Sequence, residues 1–220
     1  MSSEIDICNL ALSNIRSQSI NSLEEASLQA QTCRLKYPIL RDMMLNDYSW
    51  GFARKIRPLV LTETVIFNWA YAYDYPQDCM NINRLILGYE KVDQTTQLSG
   101  SQQSYYSDAD LLDPSQLRDQ VPYEIFNFDN KVIGVNQPEV RIDYRSRVEN
   151  PELFTVPFVM ALSYLLASEV AIPIVGAELG RALRKDSLDL YATYLANAIS
   201  NDQNEKYQPV LDSEYVTARR

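Results

Sequence analysis

Apolar residues recur three and four apart over four stretches of this chain and alternate over several others between them, which predicts helices at both ends and strands in the middle. The first helical stretch runs from Glu4 to about Arg16, with Ser2 or Ser3 as cap and Ile7, Leu10, Ala11, Asn14 and Ile15 tracing one face. Ser22 and Glu25 fit an S-x-x-E capping box, so a second helix is expected from Leu23 or Glu24 to about Leu45. Its apolar stripe is Ala26, Ala30, Cys33, Tyr37, Leu40 and Met44, with Gln29, Gln31, Arg34, Lys36, Arg41 and Asp42 filling the other faces. Pro38 removes one backbone donor and is expected to kink this helix at Tyr37 without ending it.

After Trp50-Gly51 the period becomes two. Arg54 to Thr62 reads as a strand, with Pro58 favouring a sheet edge. Trp69, Tyr71, Tyr73 and Tyr75 alternate, which predicts a four-aromatic ladder on one strand face. Cys79–Leu87, Tyr123–Phe128, Lys131–Val135 and Val140–Arg147 read as further strands, with Asp129-Asn130 as a tight turn. Residues 91–122, rich in Gln, Ser and Asp, read as a long surface loop or a partly ordered excursion.

Helical spacing returns at Asn150-Pro151-Glu152, a cap followed by a first-turn proline. It continues to Pro173 through Phe158, Leu162, Leu165, Leu166, Glu169 and Ile172. A last helix from about Ala177 to Ile199 carries Leu179, Leu183, Leu190, Tyr191, Tyr194, Leu195 and Ala198 on its inner side. Residues 201–220 have too little apolar content for a core and are expected to need a partner to become ordered. The predicted fold class is α+β. Four main helices form an antiparallel bundle from two halves, 1–50 and 150–200, around an inserted β-rich lobe, 51–149, with an extended C-terminal tail, 201–220.

Composition narrows the chemistry. The chain has no histidine, which removes the commonest general base, the usual metal ligand and every Ser-His or Cys-His pair. Cys8, Cys33 and Cys79 lack C-x-x-C spacing and read as core thiols in a reducing compartment. No catalytic residue, cofactor or metal set emerges, so a non-enzymatic role is expected. The 15 tyrosines against 6 phenylalanines suit half-buried surfaces and interfaces, or plain strand composition. Met1 to Asp6 has no basic leader, and Val156–Val175 is interrupted by Pro157, Ser163, Ser168, Glu169 and Pro173. That reads as a buried helix, with no membrane insertion.

The net charge of −9 is unevenly spread. Residues 1–60 carry 7 basic and 6 acidic groups, residues 61–150 carry 7 and 14, and residues 151–220 carry 6 and 9. An acidic middle does not clamp phosphates, though it could surround DNA without gripping it.

Several segments appear in a telling order: Asn9–Arg16 (NLALSNIR), Ile20–Ser27 (INSLEEAS), Ala30–Pro38 (AQTCRLKYP), Tyr48–Lys55 (YSWGFARK), Trp69–Cys79 (WAYAYDYPQDC) and Phe158–Pro173. Together they resemble the head-to-tail adaptors of short-tailed bacteriophages, the tail tubular protein A family. The resemblance covers most of the chain, least in residues 91–135. It implies a homo-oligomeric ring, usually of twelve copies, docked beneath the portal protein and presenting a platform to a tail nozzle like tail tubular protein B. Double-stranded DNA would pass through without sequence-specific binding, for packaging retention and ejection. The protein would reside in the virion neck after assembly in the host cytoplasm. The alternatives are a stopper or other tail-completion protein and, furthest from the residues, a cell-wall hydrolase using paired carboxylates.

Interface candidates follow from residue type. Tyr48, Trp50 and Phe52 either anchor a neighbour or plug the end of the helices. Arg54, Lys55 and Arg57 suit pairing between subunits or at a strand edge. Tyr71 and Tyr73 suit sheet packing within or between copies, since their neighbours Asp74 and Asp78 argue against a nucleic-acid platform. The resemblance implies that Tyr207, Tyr215, Arg219 and Arg220 would belong to a tail that docks on the portal. Asp108, Asp110 and Asp113 lack the glycine and closing glutamate of an EF-hand. Glu169 is expected to be partly buried in an ion pair with Arg34 or Arg181.

Overall fold

The computed structural model describes residues 3–87 and 121–205. Helix α1, Glu4–Asn14, begins at a reciprocal capping box: Ser3 Oγ accepts from the Asp6 amide at 3.1 Å, and Asp6 Oδ2 accepts from the Ser3 amide at 2.9 Å. Ile7, Cys8, Ala11 and Leu12 are buried, while Leu10, expected on that face, points outward. Helix α2 spans Leu28–Asp47, starting later than the sequence suggests. The Ser22–Glu25 pair does close, with Glu25 accepting from the amides of Asn21 and Ser22, but it closes a turn. Asn9 holds that turn by a two-way bond to the Ile20 backbone, at 2.8 and 2.9 Å, and Ser27 then caps the helix. Ala26 is therefore exposed and outside the helix, while Ala30, Cys33, Tyr37, Leu40 and Met44 are buried as read.

Helix α3, Val156–Val175, also starts late, because Asn150 caps only the short 3-10 turn Pro151–Leu153. Pro157 has no amide to donate, so it fits the first turn of a helix and not the middle of one begun at Pro151. The helix passes Pro173 and stops at Gly176, whose φ of 94° only glycine adopts freely. Helix α4, Ala177–Glu205, follows after that single residue. A Cβ on Gly180 would lie 2.9 Å from Ile172 Cα, so the glycine lets the two backbones approach closely. α4 runs past Ile199, which makes residues 201–205 helical where a tail was expected, and Leu179 and Leu190 are exposed where inner positions were expected. Residues 206–220 lie outside the described residues, as does nearly all of the expected 91–122 loop.

Strands are β1 (Arg54–Pro58), β2 (Tyr71–Asp74), β3 (Cys79–Leu87), β4 (Tyr123–Asn127), β5 (Lys131–Val135) and β6 (Val140–Ser146). They form two three-stranded antiparallel sheets, β1-β6-β3 and β2-β5-β4. The class is α+β, with four helices and these two sheets. The described chain divides into two compact units, one of residues 3–54, 78–81 and 145–205, the other of residues 55–77, 82–87 and 121–144.

In the helical unit α3 is the central element and contacts α1, α2 and α4. It is long and apolar enough to cross a membrane by length and composition, and most of its surface is buried within the unit. One cluster runs from Ile7 and Leu12 through Tyr37, Met44 and Trp50 to Phe158, Leu166 and Ala198. In the β unit, Ala72 faces Gly134 and Tyr73 faces Ile133 across β2 and β5.

Candidate interaction surfaces

Helix α2 carries two apolar stripes on opposite sides. The inner one is buried; the outer one is Leu28, Leu35, Ile39 and Met43, which are 53%, 65%, 61% and 41% exposed. Their spacing of seven, four and four aligns them, and 15 residues of helix make a stripe about 22 Å long. Sequence reading found one stripe and missed the other, although the same spacing counted from Leu28 contains it. A helix of a monomer normally presents polar side chains at the centre of its solvent face, so this stripe is the described surface best suited to packing against another protein.

Charges beside the stripe are already paired. Lys36 Nζ lies 3.3 Å from Glu169 Oε2, and Arg184 Nη2 lies 3.0 Å from Glu169 Oε1, so one carboxylate on α3 is bracketed by cations from α2 and α4. Glu169 is partly buried as expected, but with Lys36 and Arg184. Arg34 instead pairs with Glu24. Arg41, read as a surface residue, is buried over the Tyr37 ring with Asp42 at 2.9 Å and Glu4 at 3.8 Å, and Asp42 also takes Arg147 at 3.0 Å.

The aromatic corner is a plug. Trp50 is fully buried, and its Nε1–H donates to the Met44 carbonyl at 2.8 Å. Tyr48 and Phe158 meet it edge-on at 4.9 and 5.0 Å, and Phe52 stacks at 5.9 Å. Tyr48 and Phe52 are half-buried, so a neighbour could touch them, whereas Trp50 has no surface to offer. Asp202 secures the turn after Trp50 by accepting from the Gly51 amide at 2.6 Å. Arg54 is half-buried; Lys55 and Arg57 are exposed on β1, with Arg57 over the Tyr144 ring at 5.4 Å.

The expected aromatic ladder is broken. Tyr73 is buried and its hydroxyl donates to the Gln137 carbonyl at 3.1 Å, with Tyr71 half-buried on the same face. Burial raises the Tyr73 phenol above its ordinary pKa. Trp69 precedes the strand, after Asn68 at φ 70°, and covers the opposite face beside Ala72, Val132 and Phe126. Its Nε1–H donates to Glu124 Oε2 at 3.1 Å. Tyr75 has left the strand and lies under the Lys131 ammonium at 5.2 Å.

Tyr207, Tyr215, Arg219 and Arg220, and the aspartates 108, 110 and 113, lie outside the described residues. Among the described residues no three His, Cys, Asp or Glu side chains are placed to share a metal. A shallow concavity at the α3–α4 turn, lined by Val175, Gly176, Glu178, Leu179 and Ala182, brings together no acid–base pair. No protein-family model and no curated protein matches this chain.

Proposed function

We propose that this chain is a structural protein of a short-tailed bacteriophage, a ring-forming adaptor between the portal and the tail nozzle. The observation that carries the reading is the outer stripe of α2, an apolar helical face left exposed among the described residues. In a ring each copy offers one face to the next, and such a heterologous contact closes when the rotation per copy divides a full turn. The ordered segments that resemble the adaptor family supply the twelvefold expectation and the partners. In this reading the four helices are an antiparallel bundle, the residues of 51–149 are a lobe inserted between its halves, and residues 206–220 reach the portal. The 14 acidic groups against 7 basic ones in residues 61–150 suit a conduit that repels DNA and lets it slide.

The test is assembly. Mixed with portal rings, the full chain should give twelvefold rings in electron micrographs. The double variant Leu35→Glu, Ile39→Glu should keep its helical circular dichroism and melting temperature yet form no ring. A wild-type chain that ignores the portal rejects the reading, and so does a double variant that assembles normally.

A further inference from the structure

Among the described residues, the two most exposed large apolar side chains are Val65 and Phe67, in the segment between β1 and β2. Their surroundings hold them out. Ile66, between them, is buried in a cluster with Ala72 and Val132, and its carbonyl accepts from the Trp69 amide at 3.4 Å. Upstream, the Thr62 amide donates to the Ala72 carbonyl and the Asp74 amide to the Val60 carbonyl, both at 2.9 Å, which lays residues 60–62 along β2. The segment is fixed at both ends, so a partner would meet Val65 and Phe67 already in place, at little further cost in order.

We propose that Val65 and Phe67 of one copy pack on the outer stripe of α2 in the next copy, beside Leu35 and Ile39. The inference rests on the ring reading and names the second face that a heterologous contact requires. Spacing fits the pair. Two residues of extended chain advance about 6.6 Å and four residues of helix about 6 Å, so Val65 and Phe67, with Ile66 turned inward between them, match Leu35 and Ile39 one turn apart. Charge sets the direction. Glu63 is exposed two residues before Val65, and Arg34 and Lys36 flank Leu35. Val65 beside Leu35 brings Glu63 to the Arg34 end of the stripe, whereas the reverse order would bring it toward Asp42 and Asp47. Arg34 already meets Glu24 at 3.1 Å, but both side chains are largely exposed, so the guanidinium can turn to a second carboxylate at little cost. The wider balance has the same sense: 7 basic and 6 acidic groups in residues 1–60 face 7 and 14 in residues 61–150.

The experiment mixes a full chain carrying Ile39→Cys with one carrying Phe67→Cys, adds portal rings, treats the mixture with a short bis-maleimide and maps the linked peptides. Each chain carries one of the two new thiols, so a link between positions 39 and 67 joins two copies. It should appear when portal rings are present, and the Ile39→Cys chain alone should give no link between two positions 39. Phe67→Ser, at a surface position, should keep the melting temperature of the parent. It should raise the concentration for half-maximal ring formation at least about tenfold, as expected when a contact loses one aromatic side chain. Glu63→Arg should weaken assembly, and Arg34→Glu in the same chain should restore it. Rings that form without the 39–67 link, or with a 39–39 link in its place, overturn this inference and leave the ring reading standing. So does a Phe67→Ser chain that assembles at the concentration of the parent, or a charge swap that restores nothing. A wild-type chain that forms no ring overturns the ring reading, and this inference with it.

Discussion

The helical unit and the β unit pack around their tryptophans in opposite ways. In the first, large side chains do the filling: Trp50, Tyr37, Phe158, Met44 and Leu45 are all fully buried in one continuous cluster. The second also buries Tyr73, Tyr144, Leu85 and Ile133, but beside its tryptophan room is made by the lack of a side chain. The Trp69 ring lies on Gly134, where an added Cβ would come 2.8 Å from Trp69 Cγ and 3.0 Å from Phe126 Cε2. The β unit also leaves Val65 and Phe67, 91% and 87% exposed, on either side of buried Ile66. Around Trp50 the helical unit should therefore fail by losing volume, and around Trp69 the β unit by gaining it.

The largest effect is expected in the helical unit. Trp50→Ala removes a buried indole, its bond to Met44 and its contacts with Tyr48, Phe52 and Phe158, and should cost about 3–5 kcal/mol in denaturant unfolding. A variant that unfolds like the parent and fails only in assembly would move Trp50 from core to interface.

That contrast was only half legible in the chain. Element types came from spacing: β3 and β5 have the bounds their alternation predicts, and α1 starts beside Ser3, one of its two predicted caps. The starts of α2 and α3 were misread because a local cap signal says where a turn can close, not whether a helix follows. Asn9 decides the first case from eleven residues away in sequence, by binding Ile20. Pro157 decides the second, and its position was a readable signal that the Asn150 cap overshadowed. Alternation placed Trp69 with the tyrosines because a period of two assumes an unbroken strand, and Asn68 at φ 70° breaks it. The outer stripe of α2 was missed for a different reason: once one apolar face is found, the remaining positions are read as solvent, and Leu35 and Ile39 passed unnoticed.

A smaller effect is expected in the β unit. Gly134→Ala should cost about 1–3 kcal/mol, since Trp69, pinned by its bond to Glu124, must shift to admit a methyl group. The chain has two tryptophans, one in each unit, so Trp50→Phe leaves Trp69 as a local fluorescence reporter. In that background Gly134→Ala should change Trp69 emission, and adding Trp69→Leu should recover part of the loss through coupling of the two sites. An undisturbed Trp69 spectrum with unchanged stability would show that the ring does not rest on Gly134.

The smallest effect asks whether the surface of the helical unit matters as well as its interior. Asp6 Oδ2 accepts from the Ser3 backbone amide, and this bond, with the Ser3 hydroxyl beside it, lowers the carboxyl pKa in the folded chain. A depressed folded value means that the unfolded chain takes up the proton first as pH falls. The stabilisation is complete above the ordinary aspartate value of about 3.9 and is lost as pH drops through the lower folded value. Asp6→Asn keeps an oxygen for the Ser3 amide but no titrating group. Its melting temperature should fall less steeply than that of the parent below about pH 4 and differ little near neutrality. Asp6 is fully exposed, so salt should shrink the difference, as it would not for the buried plug around Trp50. Parallel melting curves from pH 2 to 6 would mean that the end of α1 holds without its cap, leaving the stability of this unit to its interior alone.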